Sequence, residues 1–268
     1  MALTQHSRYI ALFSVTLLLQ SMWLVGVSSI ANAQTQAAKP TQSAPRKGKF
    51  TLEPPKGQPA PKVTIGGGRR NSGICPQDSS IVNATANPSL PRARTLLPLL
   101  PTTRLGLTIE AHPTFLIYVP STSARILEFK LEDQDGEEVY QTTMDLSATP
   151  GVVRISLPAH QAALQVGKDY KWTVSIACQP DGVKPQDPLA TGAVRRIQPD
   201  SALVTQLQTA NAIDRVELYA RSGIWFEAVA SLAELRRSQP HNQTLASAWE
   251  ELLQSAGLSA IATAPFMN

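Results

Sequence analysis

Residues 219–240 read YARSGIWFEAVASLAELRRSQP, and this stretch decides how the C-terminal part of the chain folds. Gly223 can end one helix in the left-handed conformation, and Pro240 cannot continue the next helix. Between them, Ala228 is small enough to let two helix axes approach, with aromatic residues on either side to fill the remaining space. The stretch therefore predicts two antiparallel helices joined by a short turn.

This helical hairpin resembles one tetratricopeptide unit, with Tyr219 in the first helix and Trp225, Ala228 and Leu232 in the second. Only one such unit is visible, whereas an autonomous array needs about three repeats to bury its faces. Aromatic residues at helical spacing are more often core than ligand site. Trp225 and Phe226 are adjacent and cannot both point into the same groove, so one of them is a candidate for an exposed partner contact. The alternative is that the hairpin only caps the core.

Helical periodicity continues on both sides of the hairpin and predicts a helical subdomain over residues 201–268. Capping residues and helix breakers set the expected bounds. We expect a short helix capped by Asp200 or Ser201, a second capped by Asn211, a third over about 225–238, and a fourth over about 244–256 that Gly257 ends.

Residues 75–200 show the period of two that is typical of strands. The expected strands are 114–119, 126–132, 137–143, 151–157, 170–178 and 190–197. Short strands broken by turn residues, without helical segments between them, favour an antiparallel β-sandwich over a parallel sheet. The arrangement of Leu164, Gly167 and Tyr170 is similar to the tyrosine corner of immunoglobulin-like domains. The predicted fold class is α+β, an immunoglobulin-like sandwich followed by helices.

Residues 1–33 have the three parts of a secretory signal peptide. A polar start containing Arg8 precedes a long apolar run, and the small residues Ala31 and Ala33 predict cleavage between Ala33 and Gln34. An uncleaved membrane anchor is the alternative. We expect an exported protein, periplasmic or secreted, with no transmembrane segment in its mature chain.

Residues 34–74 predict a disordered basic linker, because they are rich in Pro, Gly and Lys and poor in large apolar residues. Residues 34–72 contain eight basic residues and one acidic residue, whereas 13 basic and 18 acidic residues follow from position 102 onward. The linker could attract an anionic surface or act only as a solvated tether.

Cys75 and Cys178 are the only cysteines, and in an exported protein they predict one disulfide. The alternatives are a metal pair or a catalytic cysteine, although neither residue belongs to a CxxC motif. No nucleophile elbow, zinc-binding helix motif or P-loop is present in the sequence. We expect no catalytic, metal or cofactor site, while a pair of carboxylates that converge in space stays open.

The chain also resembles an exported cyanobacterial family of unknown function, domain of unknown function 928. The residues that carry the resemblance are residues 67–70 (GGRR), Cys75, residues 113–120, residues 127–131, residues 170–172 (YKW), Cys178 and residues 219–240. The resemblance implies no catalytic residue and no established activity.

The expected function is a non-enzymatic protein-interaction or scaffolding module of the cell envelope. One alternative is a protein that binds or processes carbohydrate or peptidoglycan, and another is polyanion binding through the basic linker. The expected partner is an unidentified envelope protein or glycan, and no specific nucleic acid.

Overall fold

The computed structural model describes residues 49–54, 57–59, 62–63, 74–78 and 95–267. The predicted signal peptide, its cleavage site at Ala33 and Gln34, and most of the predicted linker lie outside the described residues. In the described ranges, no helix is long and apolar enough to cross a membrane.

The described residues form an α+β fold in which eight strands precede four helices. The strands are β1 (Leu97–Pro98), β2 (Leu105–Thr108), β3 (Thr114–Val119), β4 (Ile126–Glu132), β5 (Glu138–Asp145), β6 (Gly151–Ser156), β7 (Asp169–Ala177) and β8 (Leu189–Arg196). The helices are α1 (Ser201–Thr209), α2 (Ala212–Arg221), α3 (Trp225–Ser238) and α4 (Gln243–Ser255). The six expected strands and the helices after Asn211 all lie within two residues of their predicted bounds.

The strands form two sheets, ordered β1-β3-β6 and β2-β8-β7-β4-β5. All neighbouring strands are antiparallel except β2 and β8, where Leu105 lies opposite Ala193 in a parallel pair. This pair corrects the expectation of a purely antiparallel arrangement. Alternation of side chains predicts that a strand exists, but the direction of its partner depends on contacts between distant parts of the chain.

The inner faces of the two sheets meet at Phe115 of β3. Its ring centroid lies 4.9 Å from that of Phe129 in β4 and 5.4 Å from that of Trp172 in β7. All three rings are 0% exposed. Tilted and edge-to-face contacts at these distances stabilise an aromatic core beyond the burial of apolar area alone.

A hydrogen bond from a backbone N–H to a tyrosine hydroxyl closes the corner where the chain turns into β7. The backbone N–H of Gln165 donates to the Tyr170 hydroxyl at 2.9 Å. Gly167, between them, has a φ of 82°, which a residue with a Cβ rarely adopts. The corner therefore fixes how the chain enters β7.

The last described residues extend the three-stranded sheet beside β6. The backbone N–H of Val152 donates to the Pro265 carbonyl at 2.8 Å, and that of Met267 donates to the Val152 carbonyl at 2.9 Å. A Cβ on Gly151 would lie 2.5 Å from the Met267 side chain, so this close approach requires glycine. The C-terminal segment thus covers one edge of the sheet.

A buried ion pair joins β7 to β8 and to the segment before the sheets. Asp169 and Arg195 form a bidentate pair, with N–O distances of 2.5 and 2.9 Å. The Lys62 backbone N–H donates to Asp169, and Arg195 donates to the Pro59 carbonyl at 2.9 Å. Burial opposes ionisation of Asp169, but the hydrogen bonds from Arg195 and Lys62 hold its pKa below the ordinary value.

The predicted disulfide is confirmed. Cys75 and Cys178 are bonded, and the bond closes a loop across 103 positions of the chain. Beside it, the Gln77 side chain donates to the Cys178 carbonyl at 2.7 Å, and the carboxylate of buried Asp78 accepts from the Thr122 hydroxyl at 2.6 Å. The disulfide therefore holds residues 74–78 against the end of β7, and its two sulfurs are neither a metal pair nor a free nucleophile.

Replacing both cysteines by serine should lower the free energy of unfolding by about 4 kcal/mol, because the unfolded chain loses a long covalent loop. Urea denaturation followed by tryptophan fluorescence measures this change. Reduced wild-type protein is the matched control and should be destabilised by a similar amount. Equal stability of the oxidised and reduced chains would contradict a structural role for the bond.

Candidate functional site

The two aromatic residues predicted to include a partner contact are both buried. Trp225 is 0% exposed and Phe226 is 2% exposed, which corrects the expectation that one of them lies at the surface. The first turn of α3 contacts β2 and β3 together, so adjacent side chains both find cover. The Trp225 ring N–H donates to the Leu99 carbonyl at 2.7 Å. This turn is therefore an internal joint between helices and sheets.

Phe226 occupies space that a glycine leaves open in β2. Its ring centroid lies 5.2 Å from that of Phe115, in an edge-to-face contact. A Cβ placed on Gly106 would lie 2.5 Å from the Phe226 ring. Any residue with a Cβ at this position would therefore move the ring or the strand.

Glu227 continues the same turn into the interior and is 7% exposed. Its Oε1 accepts from the Thr108 hydroxyl and from the Glu110 backbone N–H, the latter at 3.4 Å. Its Oε2 has no hydrogen-bond partner among the described residues. The carboxyl group thus links α3 to the end of β2.

Burial raises the pKa of Glu227 to about 7, and the negative charge of Glu110 adds to the shift. The hydrogen bonds from Thr108 and the Glu110 backbone favour the ionised form but do not offset the loss of hydration. Burial, followed by the charges of Glu227 and Glu110, also raises the pKa of the Tyr219 hydroxyl. Glu227 is therefore a carboxylic acid that exchanges its proton near neutral pH.

Sequence reasoning missed Glu227, because an acidic residue in the first turn of a helix is ordinary in a surface helix. The sequence does contain a signal directly before Glu227. Two adjacent aromatic residues, Trp225 and Phe226, indicate that this turn of the helix is covered and leave little room for a solvent-facing side chain. The sequence did not show which strand would cover the turn.

A second site involves residues 49–54, which we call the strap. The strap contains no helix or strand and lies between α2 and α4. Phe50 is only 7% exposed and belongs to the same buried cluster as Val216 of α2 and Leu252 of α4. The prediction of a disordered linker over residues 34–74 does not account for these contacts.

The backbone of the strap binds to groups on both helices. The Phe50 N–H donates to the Glu251 carboxylate at 2.6 Å, and the Leu52 N–H donates to the Ser255 hydroxyl at 2.9 Å. The Glu53 N–H donates to the Ala220 carbonyl at 3.0 Å, in the last turn of α2. The Ala220 carbonyl also accepts from the Gly223 N–H at 3.1 Å, so the strap adds a second hydrogen bond at the end of α2.

Among the cavities elsewhere in the described residues, two are small. One, of about 170 Å³, is lined by Leu97, Leu258 and Arg104, whose φ of 59° is unusual for a residue with a side chain. The other, of about 230 Å³, lies near Arg154 and Arg237, and both cations pair with Glu234 at 3.1 and 3.3 Å. Both volumes are below the range of about 300 to 1,000 Å³ that is usual for ligand pockets, whereas a further cavity of about 350 Å³, lined by Ile126, Met144 and Val183, lies at the lower end of that range.

In the part of the chain that the structure describes, no group of three or more His, Cys, Asp or Glu side chains could hold a metal ion. The acidic turn after β4 is organised by its own backbone, since the Asp133 carboxylate accepts from the N–H groups of Asp135 and Glu137 at 2.9 and 3.0 Å. This pattern is that of an Asx-type turn.

Comparison with known proteins places most of the chain in one family. The sequence model described as Domain of Unknown Function (DUF928) matches residues 65–266. No curated protein matches the chain. The match includes both sheets, all four helices and the disulfide, and it begins after the strap.

Gly106→Ala should lower the free energy of unfolding by about 1 to 3 kcal/mol, because the added methyl group collides with the Phe226 ring. A double-mutant cycle with Phe226→Leu, measured by chemical denaturation, tests the cause. The Gly106→Ala cost should be smaller when the ring is absent. Strictly additive effects would show that the ring does not limit this position.

The stability of the wild-type protein should fall as pH rises from about 4.5 to about 7, and then level off. The folded-state pKa of Glu227 is raised to about 7 from 4.5, so the folded state binds more protons than the unfolded state between these values. The expected loss is about 3 kcal/mol.

Glu227→Gln should remove most of this slope, which urea denaturation at a series of pH values measures. Glu234→Gln, which changes a half-exposed carboxylate on the same helix, is the control and should keep the slope. A wild-type profile that is flat between pH 5 and pH 7 would contradict the assignment.

Proposed function

We propose that this chain, which belongs to the Domain of Unknown Function family DUF928, is a non-enzymatic protein-interaction module of the cell envelope. The observation that carries the proposal is the surface between α2 and α4, which holds a segment without secondary structure through that segment's backbone N–H groups. Contacts to the backbone are typical of surfaces that bind peptide segments.

The joint at α3 supports this proposal, because a surface that is fixed before binding loses less conformational entropy when a partner binds. Both α2 and α4 pack on α3, and α3 contacts β2 and β3. The positions of the two helices therefore depend on a buried core and not on the partner.

Two observations support the proposed location in the cell envelope. The sequence predicts a signal peptide over residues 1–33, and the Cys75–Cys178 bond is of a kind that persists in oxidising compartments. Export to the cell envelope accounts for both.

The finer classification of the fold is also a proposal. The hydrogen bond between Gln165 and the Tyr170 hydroxyl supports an immunoglobulin-like sandwich. The turn at Gly223, with a φ of 71°, and the complete burial of Ala228 support a relationship to tetratricopeptide hairpins.

Site-specific photo-crosslinking in cells that produce the protein tests the function. A photoreactive phenylalanine analogue in place of Asp214, on α2 beside the strap, should give a crosslinked adduct with a partner protein. The same analogue in place of Gln141, which is exposed on β5, is the matched control and should not give that adduct. Identical adducts from both positions, or none from position 214, would contradict the proposal.

A further inference from the structure

We propose that the strap is a self-ligand that fills, in cis, a peptide-binding groove between α2 and α4. The groove is defined by Asp214, Glu217 and Ala220 on α2 and by Glu251 and Ser255 on α4. The partners that bind in this groove are protein segments in which a basic residue directly precedes an aromatic residue and an aliphatic residue follows two positions after the aromatic one. This inference rests on the proposed interaction function and names its site and ligand class.

The apolar part of the pattern comes from Phe50 and Leu52. Phe50 is almost completely buried, and Leu52 packs partly buried against the core cluster. Thr51 lies between them, and its hydroxyl donates to the Glu251 carboxylate at 3.4 Å. Two apolar anchors separated by one polar residue are thus the part of the strap that the helices cover.

The backbone contacts of the strap do not depend on its side chains. Three of its N–H groups, those of Phe50, Leu52 and Glu53, donate to a carboxylate, a hydroxyl and a helix-end carbonyl. The acceptor at Glu251 is a side-chain carboxyl oxygen, and hydrogen bonds to carboxylates are stronger than those between neutral groups. Any segment that places an aromatic residue in the Phe50 position can make the same bonds.

The preference for a basic residue comes from α2. The Lys49 ammonium lies 2.9 Å from the Glu217 carboxylate and 3.4 Å from that of Asp214. The hydrogen bond to Glu217 raises the pKa of Lys49 above its ordinary value; burial opposes the shift, and the hydrogen bond to Asp214 adds to it. The Lys49 side chain is half exposed, so the role of the pair is to favour a cation at this position and not to stabilise the fold.

The strap is joined to the domain that it binds, so it competes with any partner at a high effective concentration. Removing the strap from the groove should therefore expose a binding site that is accessible in only a small fraction of wild-type molecules. The apparent affinity for an added peptide falls in proportion to that population.

The test uses a fluorescein-labelled peptide with the sequence of residues 46–54, RKGKFTLEP. Fluorescence anisotropy measures its binding to the full chain carrying Phe50→Ala and Leu52→Ala, which we call the emptied chain because its strap loses the two apolar anchors and keeps only its polar contacts. Binding should be saturable and at least about tenfold tighter than to the wild-type chain. Adding Glu251→Ala to the emptied chain, or replacing the peptide's phenylalanine by alanine, should abolish it.

A second measurement needs no variant of the protein. In the ¹⁵N-labelled wild-type chain, excess unlabelled peptide should accelerate amide hydrogen exchange at Phe50 and Leu52, because it displaces the strap. The alanine-containing peptide should leave both rates unchanged. This readout holds even where the emptied chain fails to fold.

Two results would overturn the inference: no saturable binding by a folded, emptied chain, or equal binding of the alanine-containing peptide. A different result would contradict the proposed function without contradicting the groove. Saturable binding of the peptide, together with no partner adduct at position 214, would leave the groove as an intramolecular contact and would contradict the interaction function alone.

Discussion

The first turn of α3 holds the helices and the sheets together through three consecutive side chains. Trp225 donates to the Leu99 carbonyl, the Phe226 ring lies where Gly106 has no side chain, and Glu227 accepts from Thr108. One turn of helix thus combines aromatic packing, a ring N–H donor and a buried carboxyl group. These groups bind to different parts of the sheets, so they fix both the position and the rotation of α3.

The groove depends on this joint. Because α2 and α4 each pack on α3, the distance between α2 and α4 depends on the position of α3 against the sheets. The strap then contacts α2 through the Ala220 carbonyl and α4 through Glu251. The same joint makes the protein sensitive to pH, because the buried carboxyl group of Glu227 favours its protonated form.

Local patterns predicted the elements well, because alternation and helix breakers are properties of neighbouring residues. The bounds of β3, β4 and α3 agree with those predicted from sequence. The prediction that one aromatic residue of α3 is exposed was wrong. Two adjacent residues on a helix can both be buried when different parts of the sheets cover the same turn, and the sequence does not show this. The strap was missed because Phe50 and Leu52 are single apolar residues within a segment whose average composition is polar. The parallel pairing of β2 with β8 also depends on distant contacts.

Native-state hydrogen exchange tests the central claim, that the first turn of α3 makes the sheets and helices one cooperative unit. If this turn joins them, the slowest amides of α3 and of β7 exchange with the same free energy of opening, equal to the global free energy of unfolding. Gly106→Ala should then lower both free energies by the same amount. Opening of α3 at a clearly lower free energy than β7 in the wild-type protein would show that the helices and sheets unfold separately.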